Sequence, residues 1–284
     1  MASLREIKIR IKSVKSTRKI TKAMEMIAAS KMKRAQQQAI KGRPYINRLR
    51  QVIANLVYGS EPKLTHPYLE ERTKVKNAGY IFITANRGLC GAFNTNVTKV
   101  MLQILQENKH KNELVLSVGR KGRLTMERIG KKVLADFENM GDKPGFLDTV
   151  GISKVMADDF LSGKLDEVYV VYNHFFSTMT QKPVVVKLLP VDIEKEFHRP
   201  KQKREYLFEP GKELLLDELL KRYIETTVYQ TVLESIAAEH SARMMAMRQA
   251  SDNAGEIVSN LTLHYNKKRQ EKITTQILEV VAGS

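Results

Sequence analysis

From Leu233 to Tyr265 the sequence holds one spacing. Leu233, Ala237, His240, Met244, Met247, Ser251, Ala254, Val258, Leu261 and Tyr265 follow in steps of four and three without a break. That is the seam of a helix packed against another helix. The pattern begins after Glu209–Gly211 and runs nearly to the C-terminus. At 1.5 Å per residue, roughly 70 helical residues span about 105 Å. A core built from 284 residues is far narrower than that, so the seam must be buried by a second long helix.

The other end of the chain supplies it. Ser3 and Glu6 have the spacing of a capping box, which satisfies orphan amides where a helix starts. Apolar residues then recur at Leu4, Ile7, Ile11 and Val14, shift phase to Ile20, Met24 and Ile27, and resume at Met32, Ala35 and Ala39. A last set is Ile46, Leu49, Ile53 and Leu56. The phase shift predicts an irregularity in the supercoil. The stretch Gly42–Pro44 predicts an interruption and a bend, because proline inside a helix costs about 3 kcal/mol. Gly59 and Pro62 end the helix near Tyr58. The two ends are therefore expected to form an antiparallel coiled coil. Ala28, Ala29, Ala35, Ala237, Ala242 and Ala254 allow close approach, and His240 reads as a packed seam residue, with no Cys or acid at ligand spacing beside it.

Charge divides the two helices. Residues 3–57 hold 15 Lys or Arg and two acids, which is +13 of the chain's net +17; residues 212–281 carry nine bases and ten acids. A polyanion or an acidic protein surface is the natural partner of the first helix. Nucleic acid is the weaker choice, since residues 3–57 contain Tyr45 as their one aromatic and no recognised nucleic-acid fold. The single cysteine, Cys90, excludes an internal disulfide framework. No apolar run approaches the roughly 20 residues that span a bilayer. The first twelve residues lack a signal-peptide core, so no leader is expected and membrane contact is expected only through partners.

Between the helices the period changes. Residues 79–85, 113–118, 131–137, 166–173 and 183–192 read as strands, with helices near 95–108, 120–129 and 150–162. Alternating strands and helices predict an α/β domain with a Rossmann-like, mainly parallel sheet. The short connection before Pro183 predicts that the last two strands form an antiparallel hairpin. The first strand leads into TANRGLCGAFN (Thr84 to Asn94), placed where phosphate-binding loops sit. A Walker loop would end in Gly-Lys-Ser/Thr, and a dinucleotide fingerprint needs a third glycine. Here Gly91 is followed by Ala92 and Phe93, and the turn with Gly119 and Gly122 fails both tests as well. The glycines read as packing and bend positions. The six histidines are scattered and no carboxylate pair has metal-ligand spacing, which points away from an enzyme, a metal site or a cofactor.

Three stretches carry a more specific signal. KITKAMEMIAASKMKRAQ (Lys19 to Gln36), RGLCGAFN and MRQASDNAGEIVSNLTLHYNKKRQEKITTQILEVVAGS (Met247 to Ser284) together resemble the gamma-subunit family of F-type ATP synthases, over the whole chain and in the same order. The resemblance implies a non-catalytic rotor. Residues 1–58 and 209–284 would form the central shaft inside a hexamer of three alpha and three beta subunits, and residues 75–208 a foot on the epsilon subunit and the membrane ring of c-subunits. Ion flow through the ring would drive ATP synthesis at the beta subunits, which carry acidic loops facing the basic helix. By the same resemblance Met24 and Arg243 lie where shaft meets beta, and Arg269, Gln270 and Thr274 form a polar catch. Ile277 and Val280 belong to the apolar tip, and Tyr206 and Glu209 to the contact with the ring. Without the dithiol insertion of the chloroplast form, a bacterial complex on the cytoplasmic face of the plasma membrane is the simpler reading.

Overall fold

The computed structural model describes residues 3–59, 64–72, 74–107, 112–138, 140, 141, 143–197, 209 and 211–283. Among the described residues two long helices, α1 (Leu4–Tyr58) and α6 (Lys212–Ala282), bracket five strands, four shorter α-helices and one 3-10 turn (Pro67–Leu69). The chain divides into two compact units, residues 1–30 with 243–284, and residues 31–242.

The first unit is a helix pair. Its capping box forms as the sequence requires: the Ser3 amide donates to Glu6 Oε2 at 3.0 Å, and the Glu6 amide to Ser3 Oγ at 3.2 Å. Thr21 Oγ1 donates to Ser251 Oγ at 3.2 Å, and Ser251 Oγ is also 3.2 Å from the Arg18 carbonyl. Gly255 packs against the Arg18 guanidinium, so the helices run antiparallel. The expected phase shift is absent. Ile20 and Ile27 are 61% and 55% exposed, while the half-buried Thr21 and buried Ala28 hold the seam. Leu4, Ile7, Ile11, Val14, Arg18, Thr21, Glu25 and Ala28 keep steps of three and four throughout. Polar residues occupy the seam where the pair is held by hydrogen bonds, so apolarity alone misplaced the phase. On α6, Met247, Ser251 and Ala254 are buried and Val258, Leu261 and Tyr265 half-buried, as the spacing predicts.

The second unit is built on the sheet. β1 (Asn77–Ile83), β2 (Asn112–Val118), β3 (Val133–Phe137), β4 (Glu167–Phe175) and β5 (Gln181–Leu189) lie in the order β3-β2-β1-β4-β5. All neighbours are parallel except β4 and β5, the expected hairpin. Alternation along β1 gives each face its own core. Tyr80 and Phe82 pack with Val97 and Met101 of α2 (Phe93–Glu107) and Met126 of α3 (Arg120–Arg128). Ile81 and Ile83 join the larger core with Ile152, Met156 and Phe160 of α4 (Phe146–Leu161), Ile53 and Leu56 of α1, and Leu220, Ile224 and Val228 of α6. Burial on both faces explains why β1 reads as a continuous apolar run. α4 starts earlier than expected because Asp148 Oδ2 accepts the Gly145 amide at 2.7 Å and caps it. The helix α5 (Ile193–Glu196) was not anticipated; Asp192 caps it by accepting the Glu194 and Lys195 amides.

α1 runs through Pro44 without the expected interruption. Proline removes one backbone hydrogen bond there, and the buried residues Ala39, Ile46 and Leu49 on either side hold the helix to the core.

Candidate functional site

The order of the strands reverses between β1 and β4, and open α/β sheets bind ligands in the crevice beyond the carboxyl ends of such strands. Here the protein fills that crevice itself. Ala85, Cys90 and Phe93 form a buried cluster with Ala238 of α6, and Phe175 and Ala242 pack against it. Asn173 Nδ2 donates to the Phe93 carbonyl at 3.1 Å and fixes the start of α2 to β4. The loop from Thr84 to Asn94 is held by its own side chains. The Ala85 amide donates to Asn94 Oδ1 at 3.0 Å, and Asn94 Nδ2 lies 3.3 Å from Cys90 Sγ. Asn86 accepts the Arg120 amide at 2.9 Å and donates to the Glu138 carbonyl at 2.7 Å. The second glycine turn is set by contact. Gly119 has φ 101°, and a Cβ there would stand 2.2 Å from the Thr84 carbonyl oxygen. Both turns are therefore joints between elements, and the loop that resembles a phosphate cradle is a socket for α6.

Three further joints in this unit link the α/β layer to the long helices. Arg50 of α1 donates to Glu196 Oε2 at 2.9 Å, and Tyr223 of α6 donates to the same oxygen at 2.6 Å. Burial and the Glu196 carboxylate push the Tyr223 hydroxyl well above its ordinary range, which keeps it a neutral donor. Gln38 Nε2 donates to Tyr229 Oη at 2.6 Å and to the Pro144 carbonyl at 3.3 Å, with the Phe146 ring edge-on to Tyr229. His66 Nε2 lies 3.2 Å from Asp217 Oδ1. Sequence reasoning missed these residues because each pair lies more than a hundred positions apart or joins a long helix to a short one.

The other distinctive surface is the end of α6. Lys268 is the last half-buried residue; every residue from Arg269 to Gly283 is exposed. At 100° per residue, Arg269, Ile273, Ile277 and Val280 share an arc of about 80°, with Gln270 and Thr274 along its flank. Glu271, Thr275 and Glu279 lie on the opposite side. Ile273, Ile277, Val280 and Val281 are 43%, 58%, 73% and 68% exposed. Leu278, 63% exposed, lies beyond this arc beside Glu271, so the tip is apolar over more than one side. Exposed apolar residues on this scale mark an interaction surface. Arg269, Gln270, Thr274, Ile277 and Val280, expected from the sequence to form the catch and the tip, lie within about 140° of one another around the helix. Met24 is half-buried on α1 and Arg243 half-buried on α6; the Thr21–Ser251 pairing separates them by about 7 Å along the axis. Glu209 is exposed just before α6, and Tyr206 lies outside the described residues. Among the described residues, no His, Cys, Asp or Glu cluster could hold a metal ion, and no helix is long and apolar enough to cross a membrane.

Known proteins place the chain. Residues 3–284 match the family described as ATP synthase. The ATP synthase gamma chain of Dehalococcoides mccartyi strain BAV1 is 48% identical, over 100% of this chain and 99% of the relative. That of Azoarcus sp. strain BH72 is 45% identical with the same coverage. Among solved structures, a chain of the central stalk and c-ring of the Tetrahymena thermophila mitochondrial ATP synthase is 28% identical, with a TM-score of 0.63 over 82% of this chain and 99% of its own. A chain of the Euglena gracilis mitochondrial enzyme, 21% identical, shares the fold with a TM-score of 0.66 over 98% of this chain and 92% of its own.

Proposed function

The chain belongs to the gamma-chain family of F-type ATP synthases, and from that premise we propose how it acts as the rotor of the central stalk. It is a non-catalytic subunit, and the nucleotide chemistry of the complex resides elsewhere. In this reading α1 and α6 form the shaft (residues 1–58 and 209–284), seated within three alpha and three beta subunits, and residues 75–208 form the foot. The foot contacts the epsilon subunit and the ring of c-subunits, with Tyr206 and Glu209 at the ring. The assembly lies on the cytoplasmic face of a bacterial plasma membrane, which the chain touches only through its partners. Ion flow turns ring and shaft, and the turning shaft drives the beta subunits through ATP binding, synthesis and release.

One observation carries the reading: the end of α6, where Arg269, Gln270 and Thr274 lie beside an exposed apolar arc of Ile273, Ile277 and Val280. An apolar arc fits a sleeve that surrounds the shaft, and the polar residues below it fit a contact made at some shaft angles and broken at others. Arginine offers a planar fork of donors for a carboxylate. Met24 and Arg243, further along the pair, are assigned to the beta subunits. The +13 excess of residues 3–57 favours acidic surfaces on those subunits. The test is mass spectrometry of the complex that co-purifies with the native chain. Alpha, beta and epsilon subunits in about 3:3:1 proportion are expected; their absence would refute the assignment.

A further inference from the structure

Between residues 230 and 242, α6 carries two adjoining stripes. Leu233, Ala237 and His240 continue the buried seam. About a quarter turn away, Gln230, Glu234, Ala238 and Ser241 stand at steps of four, four and three. This second stripe meets β4 and the β4–β5 turn. Its centre is the Glu234 carboxylate, whose side chain is 14% exposed. Oε2 accepts from Tyr172 Oη at 3.1 Å and lies 2.7 Å from His174 Nδ1, while Gln230 Nε2 donates to Oε1 at 3.3 Å. The close approach of Nδ1 to a carboxylate oxygen requires a proton between them. Burial, then the Glu234 charge, push the Tyr172 hydroxyl far above its ordinary range, so it stays a donor. The Phe176 ring packs edge-on to His174 at 4.6 Å, and Lys182 stands across the hairpin from His174.

A second attachment lies seven residues on. Ser241 Oγ donates to the Thr178 carbonyl at 2.7 Å and accepts from Gln181 Nε2 at 3.1 Å. Gln181 also donates to the Ser177 and Thr178 carbonyls, which pins the tip of the turn. Ala238, fully buried between the two attachments, lets the helix close on the Cys90 loop. The attachments are thus about 10 Å apart along α6. The joints at Asp217, Tyr223 and Tyr229 already tie α6 to the layer further along; these two attachments extend the tie to β4 and the β4–β5 turn, and two points on one stripe resist axial rotation there.

We propose that Glu234, backed by Ser241, is the positioning residue that locks the sheet to α6 against twisting, so that torque entering the foot reaches the shaft. This rests on the rotor reading above, and Glu234 acts only through α6. The test uses assembled membrane complexes carrying Glu234→Ala, Ser241→Ala or both. Two rates are compared: ATP hydrolysis without load, and ATP-driven uptake of the coupling ion (proton or sodium) into inverted vesicles against an imposed gradient. The expected result is unloaded hydrolysis within twofold of the parent and a pumping-to-hydrolysis ratio under load several-fold lower, lowest in the double variant. Tyr172→Phe, which removes one hydroxyl, should give a smaller fall in the same direction and carries the test if Glu234→Ala does not assemble. Parent-like ratios under load in the assembled variants would overturn the clamp while leaving the rotor reading intact. If the parent chain itself recruits no alpha and beta subunits, the rotor reading fails and the clamp with it.

Discussion

The socket for α6 yields a prediction that can be worked from contacts. Ala238 is fully buried in the crevice, against Ala85, Cys90 and Phe93. Ala238→Leu adds three carbon atoms at a fully buried position. Helix propensity changes little between Ala and Leu, so the effect isolates packing. Forcing extra methylenes into a filled core costs about 1–3 kcal/mol. For a chain of this size that lowers Tm by roughly 2–10 °C. The control is Ala23→Leu, the same substitution on an exposed turn of α1, where surface changes stay within about 0.5 kcal/mol. Thermal and urea unfolding of the isolated chain, followed by circular dichroism, measure both. The Cys90 thiol gives an independent reading, since loosening the socket should speed its reaction with a thiol reagent. If Ala238→Leu melts with the parent and leaves Cys90 as slow to react, the crevice has room to spare and the socket is not what closes it.

Four further outcomes are expected. Because α6 occupies the crevice, calorimetry of the isolated chain with ATP should give no stoichiometric micromolar binding; a clear isotherm would refute the socket reading of the glycine loop. Arg269→Ala should leave the isolated chain's stability unchanged, since the residue is exposed, yet slow turnover of assembled complexes. Losing a charge-assisted hydrogen bond of about 1.5–3 kcal/mol gives roughly a tenfold or greater loss of rate if the contact forms in the transition state, and parent-like ATPase would sink the catch assignment. Ile277→Asp with Val280→Asp should reduce the yield of assembled complex while sparing the melting curve of the free chain, and normal assembly would count against an apolar sleeve. Burial alone would raise the Asp166 pKa, but the Lys76 and Asn77 amides and Arg72 outweigh it and hold the carboxylate below its usual value. Its stabilising share is therefore present above the ordinary Asp pKa of about 4 and is lost as pH falls through the lowered one. Asp166→Asn should flatten the acid limb of a pH-stability curve, and an unchanged slope would contradict the shift.

Much of this protein is legible in one dimension. The seam from Leu233 to Tyr265 fixes a long helix because its periodicity lies on a single element and needs no knowledge of the partner. The same holds for the Ser3–Glu6 cap and the doubly apolar β1. Capping and strand burial are local or pairwise facts written within a few residues of one another. Apolar spacing misplaces the seam of α1 between Val14 and Met32 for the complementary reason: Ile20 and Ile27 are apolar yet face outward, because Thr21, bonded to Ser251, and Ala28 hold the seam. Only the partner helix decides which face is inside. The glycine loop could be denied a Walker or dinucleotide motif from its residues alone. That its crevice is filled by Ala238, nearly 150 residues away, was decided by tertiary structure. The Tyr172–His174–Glu234 cluster is of the same kind. A strand end and a helix stripe about 60 positions apart form one site only when the sheet is folded against α6, and neither segment carries that pairing in its own sequence.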